Sequence, residues 1–337
     1  MKEDFNYISY WLRRYLVEYM ISIRNLSKNT QLSYRDTYRM VLSFVGKYLR
    51  KDVDLILVSD ITPDIIKRFL LELESIRSCS IRTRNQRLAA VKALAKYIAS
   101  QAPEYAEWCR LLYAIPLKKA ERKLITYLEK NEMEAMLDAP NTKTEQGIRD
   151  RALMLFLYNT GARADEAANM LIRDIYIPLR KCETPIATIL GKGRKTRTCP
   201  LWQNTCKALE TIIGNRDDEE HLFVNRYGEP ITRHGIYDMV TRYASTLYDK
   251  YPNMRTKRVT PHTIRHTTAT HLLLSGVDIN TIRAWLGHVS INTTNIYAEV
   301  SIEMKSSMLD KCDMPDLKVS KKHWRDDRKL MDFLDSL

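Results

Sequence analysis

The sequence has no long apolar run, no internal repeat, and only six scattered cysteines. No apolar stretch reaches the roughly 18 residues that a membrane-spanning helix needs. The N-terminus begins Met1-Lys2-Glu3-Asp4 and lacks the apolar stretch and cleavage site of a secretory signal peptide. Because no two cysteines form a C-x-x-C pair, neither a zinc knuckle nor a disulfide framework is indicated. We therefore expect reduced thiols, no metal and a cytoplasmic protein of prokaryotic type.

Positive charge is what the chain has in excess. It carries 54 lysines and arginines against 41 aspartates and glutamates, a net charge of +13. A protein this basic usually has a polyanionic partner, and nucleic acid is the leading one, although a basic surface can also serve solubility alone. Its 337 residues, 45% of them hydrophobic, suit two packed domains.

The apolar pattern predicts a mainly α chain of two domains. Residues 1–115 show helical spacing in four segments, and a charged, proline-containing linker over 116–123 interrupts it. The second domain, residues 124–312, combines helices with three short strands that predict a small antiparallel sheet. A charged tail over 313–337 ends in an apolar stripe typical of a short amphipathic helix: Leu330, Phe333, Leu334 and Leu337.

The fourth N-terminal helix is expected from Ser80 to about Ser100 and has a basic first half. Arg82, Arg84 and Arg87 lie in its early turns. A helix that contacts DNA phosphates would carry such residues, and an ordinary solvated face would carry them equally well. The pattern alone leaves both interpretations open.

Three separated clusters could carry chemistry. Arg163 follows a helix-ending glycine, His262 and Arg265 share one helix face because they are three residues apart, and His288 precedes Tyr297 by nine residues. Each cluster alone is weak, since a lone arginine or tyrosine is usually a surface or packing residue. His262 and His266 are four apart, but no H-E-x-x-H pattern supports a metal site.

The order of these clusters is more specific than any one of them. Arginine, a lysine hairpin over residues 191–197, His-x-x-Arg, Gly-His and then tyrosine resembles the tyrosine recombinase (phage integrase and Xer) family over most of the chain. The resemblance implies an N-terminal four-helix, SAM-like core-binding domain and an α-rich catalytic domain. The basic residues of the hairpin, Arg194, Lys195 and Arg197, are expected to touch DNA phosphates non-specifically, whether or not the hairpin also carries a catalytic lysine. Asp165 departs from the small residue that many members have.

The resemblance implies a catalytic set of six residues: Arg163, Lys192, His262, Arg265, His288 and Tyr297. Two guanidinium groups and two imidazoles would hold the non-bridging oxygens of a phosphodiester without metal or ATP. The tyrosine would be the nucleophile that forms a 3′-phosphotyrosine, His262 its proton acceptor, and Lys192 the proton donor to the leaving 5′-oxygen. Glu166 is expected to orient Arg163.

The same resemblance predicts a homotetramer on two double-stranded DNA sites, joined by exchange of C-terminal helices and acting near the nucleoid through a Holliday junction. The C-terminal apolar stripe could instead dock on its own domain. Two other functions remain open. A type IB-like topoisomerase would use similar residues, and a non-catalytic DNA-binding architectural protein would keep only the surface. The target sequence, and whether the reaction is integration, excision, resolution or inversion, do not follow from the residues.

Overall fold

The computed structural model describes residues 5–120, 126–178, 183–191, 195–287, 332 and 334–336. The chain divides into two compact units, residues 1–123 and 124–337, and each is described here by itself. Both are mainly helical, and the described residues form one three-stranded antiparallel sheet, which confirms the expected fold class. No described helix is both long enough and apolar enough to cross a bilayer.

The N-terminal unit has five α-helices in its described part, where the sequence pattern predicted four. The additional helix, α5, is only eight residues long and follows Pro103, so it gives little periodic signal. The first predicted helix changes at Tyr15 from α to π geometry. The helices are α1 (Ile8–Arg14, continued by the π-helix Tyr15–Ile23), α2 (Lys28–Leu49), α3 (Pro63–Ser75), α4 (Ile81–Gln101) and α5 (Ala106–Tyr113).

Hydroxyl caps fix three of these helix starts. Ser27, Thr62 and Ser80 each accept a hydrogen bond from the backbone N–H three residues later, at 3.4, 3.3 and 3.2 Å. Such a cap satisfies one of the amides that a helix start leaves without an intrahelical partner. The helices bury one core, in which the Tyr38 hydroxyl donates to the Ala90 carbonyl at 2.9 Å.

The C-terminal unit combines eight α-helices with the sheet in the part that the structure describes. Strand β2 pairs with both neighbours, in the order β1-β2-β3. The elements are α6 (Lys130–Asp138), α7 (Glu145–Thr160), α8 (Ala164–Ala168), β1 (Ile175–Tyr176), β2 (Ile186–Leu190), β3 (Thr196–Pro200), α9 (Gln203–Ile213), α10 (Arg233–Thr246), α11 (Asn253–Lys257), α12 (Pro261–Leu274) and α13 (Ile279–Leu286).

Helix α7 is the centre of this unit. Residues 152–157 are all buried, so this segment is surrounded by the core on every side. The Thr268 hydroxyl of α12 donates to the Tyr158 carbonyl at 2.7 Å, and the Trp285 indole of α13 donates to the Asn159 carbonyl at 3.0 Å. The C-terminal end of α7 is therefore held by two other helices, and the residues that follow it start from a fixed position.

Candidate active site

Arg163 lies in the turn between α7 and α8 and is held by its own helix. Its Nη1 donates to Glu166 Oε1 at 2.5 Å, and its backbone N–H donates to Glu166 Oε2 at 3.0 Å. Glu166 is three residues into the new helix, the position from which a carboxylate reaches back to the helix start. The Arg163 side chain keeps 33% of its surface exposed. Asp165 is exposed, and this departure from the family pattern leaves the Arg163–Glu166 pair in place.

The turn before Arg163 requires glycine at residue 161. Gly161 ends α7 with φ of +60°, a left-handed conformation that side chains disfavour. A Cβ there would also lie 2.4 Å from Leu286 Cδ2, closer than any real contact. The end of α7 thus packs directly against the end of α13.

Arg265 joins these two helix ends from α12. Its Nη1 donates to the Gly161 carbonyl at 2.5 Å and its Nη2 to the Leu286 carbonyl at 2.6 Å. The residue is only 4% exposed. Because Gly161 is two residues before Arg163, the two predicted phosphate-binding arginines belong to one site. They differ in access, since Arg163 faces solvent in part and Arg265 is enclosed.

His262 lies one turn before Arg265 and keeps only part of its surface open to solvent. Loss of water around the ring, followed by the positive charges of Arg265 and Arg163, lowers its pKa below the ordinary value. The dependence on both arginines places all three side chains in one electrostatic environment. At neutral pH the imidazole is therefore uncharged and able to accept a proton.

Arg197, predicted as a DNA contact, lies instead inside this cluster. Its Nη2 donates to Glu166 Oε2 at 2.6 Å and its Nε to the Trp285 carbonyl at 2.9 Å. Its side chain is 8% exposed. Burial alone would raise the pKa of Glu166, but the hydrogen bond and charge of Arg197, followed by Arg163, hold that pKa below its usual range.

The alternation of inward and outward side chains along β3 could have predicted that Arg197 points inward. Arg197 and Cys199 are two residues apart, so they point to the same face of the strand. Cys199 is buried, and its thiol donates to the same Trp285 carbonyl at 3.4 Å. A residue that shares a face with a buried cysteine is expected to point inward, whatever its charge.

The hairpin between β2 and β3 begins beside Glu166. The Gly191 N–H donates to the Lys195 carbonyl at 2.8 Å, which closes the base of the loop. A Cβ built on Gly191 would lie 3.5 Å from Glu166 Oε1. Lys195 is exposed, as a DNA contact would require, whereas Lys192 and Arg194 lie outside the described residues.

The predicted DNA-binding arginines of α4 differ from one another in access. Arg82 is exposed. Arg84 is 6% exposed, donates to the Pro116 carbonyl at 3.1 Å and has Glu74 at 3.6 Å. Arg87 donates to the Ser33 carbonyl and the Thr37 hydroxyl of α2, at 3.0 and 2.8 Å. Only Arg82 thus presents its charge mainly to solvent; Arg84 and Arg87 hold the N-terminal unit together.

The last two predicted catalytic residues, His288 and Tyr297, lie outside the described residues. The described segment ends at Gly287, which closes α13 with φ of +64°. The Leu286 carbonyl, which Arg265 binds, is thus two residues before His288. The predicted C-terminal helix falls in the tail, of which only residues 332 and 334–336 are described.

The site shows no sign of a metal among its described residues. No group of three or more His, Cys, Asp or Glu side chains is arranged there to hold an ion. His266 is partly buried, and burial, His262 and Arg265 lower its pKa to about 4. The described positive charges of the site are the guanidinium groups of Arg163, Arg197 and Arg265.

Comparison with known proteins identifies the class. Residues 126–304 match the phage integrase family. A Sinorhizobium fredii protein provisionally named integrase/recombinase y4rC is 34% identical over 328 residues, 97% of each chain. The tyrosine recombinase XerC of Pelobacter propionicus is 30% identical, over 86% of this chain and 90% of its own. A Tn1549 transposon integrase, solved with transposon right end DNA, shares the fold with a TM-score of 0.67 at 18% identity, over 88% and 98% of the two chains. The chain therefore belongs to the phage integrase family of tyrosine recombinases, enzymes that cleave and rejoin DNA.

Proposed function

We propose that this protein is a site-specific DNA recombinase that acts through a covalent bond between DNA and Tyr297. The observation that carries the proposal is the convergence of two segments at the helix ends Gly161 and Leu286: Arg163 in the turn after α7, and His262 with Arg265 on α12. Such a set stabilises the negative charge that builds on a phosphate during in-line attack. The rest of the mechanism follows from the charge and protonation of these groups.

The described residues of the site include three arginines and one buried carboxylate. Arg163 and Arg197 both hold that carboxylate, Glu166, while Arg265 binds the Gly161 and Leu286 carbonyls. An excess of cations in a partly dehydrated place is costly to the folded protein unless an anion fills it. A backbone phosphate fits this requirement, with the partly exposed Arg163 meeting it first and the enclosed Arg265 adding its field from behind.

His262 supplies the proton acceptor. Its lowered pKa leaves the imidazole neutral at physiological pH, so it can take the proton of the Tyr297 phenol, whose ordinary pKa is about 10. The phenol oxygen then bonds to phosphorus while the bond from phosphorus to the 5′-oxygen breaks. Lys192 gives the departing 5′-oxygen a proton, and His288 donates a hydrogen bond to the phosphate.

The products are a 3′-phosphotyrosine and a free 5′-hydroxyl. The phosphodiester energy stays in the phosphotyrosine bond, so rejoining needs no ATP. Attack by the 5′-hydroxyl of a second duplex reverses each proton transfer and exchanges strands. Four protomers on two sites would pass through a Holliday junction, with the C-terminal apolar stripe joining neighbours. We place this reaction on nucleoid DNA in the cytoplasm.

The test is covalent trapping. DNA that becomes linked to the full-length protein is first recovered from fragmented genomic DNA of the source cells and sequenced. The recovered sequence is then placed in a duplex with a nick beside the cleavage site. Cleavage releases a short fragment that diffuses away, so the phosphotyrosine bond cannot be reversed and the adduct accumulates. We expect Tyr297→Phe to abolish the adduct and to leave the DNA dissociation constant within about twofold, because the phenol contributes bond formation rather than phosphate binding.

The exposed Tyr227 of the same unit provides the control, and Tyr227→Phe is expected to form adducts at the wild-type rate. A wild-type protein that binds the duplex without forming an adduct would show a DNA-binding protein with no cleavage activity. Relaxation of supercoiled DNA without strand exchange between two sites would instead favour a type IB-like topoisomerase.

A further inference from the structure

Arg197 has three attachments that no other described residue of the site combines. It belongs to strand β3, which leads out of the hairpin that carries Lys192. Its Nη2 holds Glu166 at 2.6 Å, and its Nε holds the Trp285 carbonyl near the end of α13 at 2.9 Å. One guanidinium thus links the hairpin, the acid that holds Arg163, and the helix that precedes His288 and Tyr297.

The packing around Arg197 fits its side chain closely. A Cβ built on Gly287 would lie 3.0 Å from Arg197 Cδ, and one built on Gly191 would lie 3.4 Å from its Nη1. A side chain at Gly287 would therefore press on the arginine, and one at Gly191 would be in van der Waals contact with it. With 8% of its surface exposed, Arg197 has little area left for a DNA phosphate, in contrast to the exposed Lys195 on the same hairpin.

Glu166 shows how the link reaches Arg163. Its two oxygens accept from different donors: Oε1 accepts from the Arg163 side chain, and Oε2 accepts from both Arg197 and the Arg163 backbone. Movement of Arg197 would release one side of this carboxylate. Because the carboxylate is the group that orients the Arg163 fork, its displacement would misalign that fork relative to a bound phosphate.

We propose that Arg197 is a positioning residue, which aligns Arg163 through Glu166 and fixes both to the ends of the hairpin and of α13. This role rests on the proposed cleavage reaction. It differs from a DNA contact because it acts on the rate of the chemical step, not on affinity. A misplacement of about 1 Å can slow an enzymatic step by about a hundredfold, so the expected effect is large.

The experiment compares Arg197→Met and Arg197→Lys with Arg149→Met in the full-length protein. Arg149 is a matched control, since its Nη2 holds a buried carboxylate, that of Asp150, at 2.5 Å and its Nη1 holds the Val224 carbonyl at 2.9 Å. The lysine variant keeps a charge for Glu166 but, as a single ammonium, cannot reproduce the planar fork. If the methionine variant folds poorly, the lysine variant still allows the adduct rate to be measured.

Three quantities are measured on the nicked duplex recovered by trapping: the adduct rate at saturating DNA per folded molecule, the dissociation constant, and its dependence on salt. We expect Arg197→Met to slow the adduct rate about thirtyfold and Arg197→Lys about tenfold, with affinity and salt dependence unchanged. Arg149→Met should keep the wild-type rate.

A wild-type rate in both Arg197 variants would overturn the positioning role. So would a loss confined to affinity together with a salt slope smaller by about one, which is the signature of a lost phosphate contact. Equal slowing in Arg149→Met would also overturn it, by showing a general response to a broken ion pair. Absence of adduct in the wild-type protein would overturn the proposed function itself, which the other outcomes leave standing.

Discussion

Two buried carboxylates in the C-terminal unit are each held by two arginines, and only one of them belongs to the candidate active site. Glu166 binds Arg163 and Arg197, at 2.5 and 2.6 Å. Asp150 binds Arg149 and Arg242, at 2.5 and 3.1 Å, and is fully buried. The local pairing is nearly the same in both.

The surroundings of the two carboxylates differ. Asp150 also accepts from the Tyr243 hydroxyl at 2.9 Å, and its partner Arg242 keeps 53% of its side chain exposed, so water shares the charge. Glu166 instead lies beside Arg163 and Arg197, and the pKa of the nearby His262 imidazole is lowered by loss of water and then by the charges of Arg265 and Arg163. An ion pair alone therefore does not mark a reactive site. What distinguishes the candidate active site is a group able to exchange a proton close to its arginines.

The largest effect should be on stability, and it should be common to both clusters. Removal of one partner from a buried ion pair leaves charges without compensation and typically costs about 3–5 kcal/mol. We expect Glu166→Gln and Asp150→Asn each to lower the free energy of unfolding by about 3 kcal/mol, measured by urea unfolding of the full chain at pH 7. A loss in one variant only would show that the two clusters are not comparable as structural elements.

A smaller effect, on the chemical step, should separate them. Glu166→Gln removes the charge that orients Arg163, and we expect the adduct rate at saturating DNA to fall about thirtyfold, about 2 kcal/mol. Asp150 lies eleven residues before Gly161 in the chain, and a helix that rises about 1.5 Å per residue puts it about 16 Å away along α7. Asp150→Asn should therefore stay within about twofold of the wild-type rate per folded molecule; equal slowing of both variants would break the comparison.

The difference between the clusters could be predicted only in part from the sequence. The helix starts at Thr62 and Ser80, the strand over Ile186–Leu190 and the glycine after α7 all follow from local rules, because caps, alternation and positive φ act within a few residues. The sequence pattern did not predict α5, because a helix of eight residues has only about two turns in which a periodic pattern can show.

Site chemistry was less accessible, because it depends on contacts between distant segments. The spacing of His262 and Arg265 predicted a shared helix face, but not that Arg265 would be enclosed while Arg163 stays exposed. The basic hairpin suggested that Arg197 contacts DNA, and its inward direction became visible only through β3 and the Trp285 carbonyl, 88 residues further along the chain. Charge in a sequence indicates affinity for an anion without showing whether that anion is a phosphate or a carboxylate of the protein.

The smallest expected effect concerns pH and uses His262 as a reporter of charge. In the proposed mechanism cleavage needs the neutral imidazole, so the adduct rate should fall as pH drops through the His262 pKa, which lies below the ordinary value of about 6.5. Glu166→Gln removes a nearby negative charge, makes the surroundings more positive and lowers that pKa further. The acid limb of the rate profile should therefore move down by about half a pH unit.

Asp150→Asn is the control for this shift of the acid limb. Asp150 lies about 16 Å from Gly161 along α7 and its charge is paired with Arg149 and Arg242, so its removal should leave the acid limb in place. Single-turnover rates between pH 5 and 8 at saturating DNA distinguish the cases. Movement of the limb toward higher pH in Glu166→Gln would mean that a group other than His262 accepts the proton. Equal movement in both variants would mean that the pKa of His262 responds to the net charge of the whole unit. The arginines around His262 would then not be the cause of its lowered pKa.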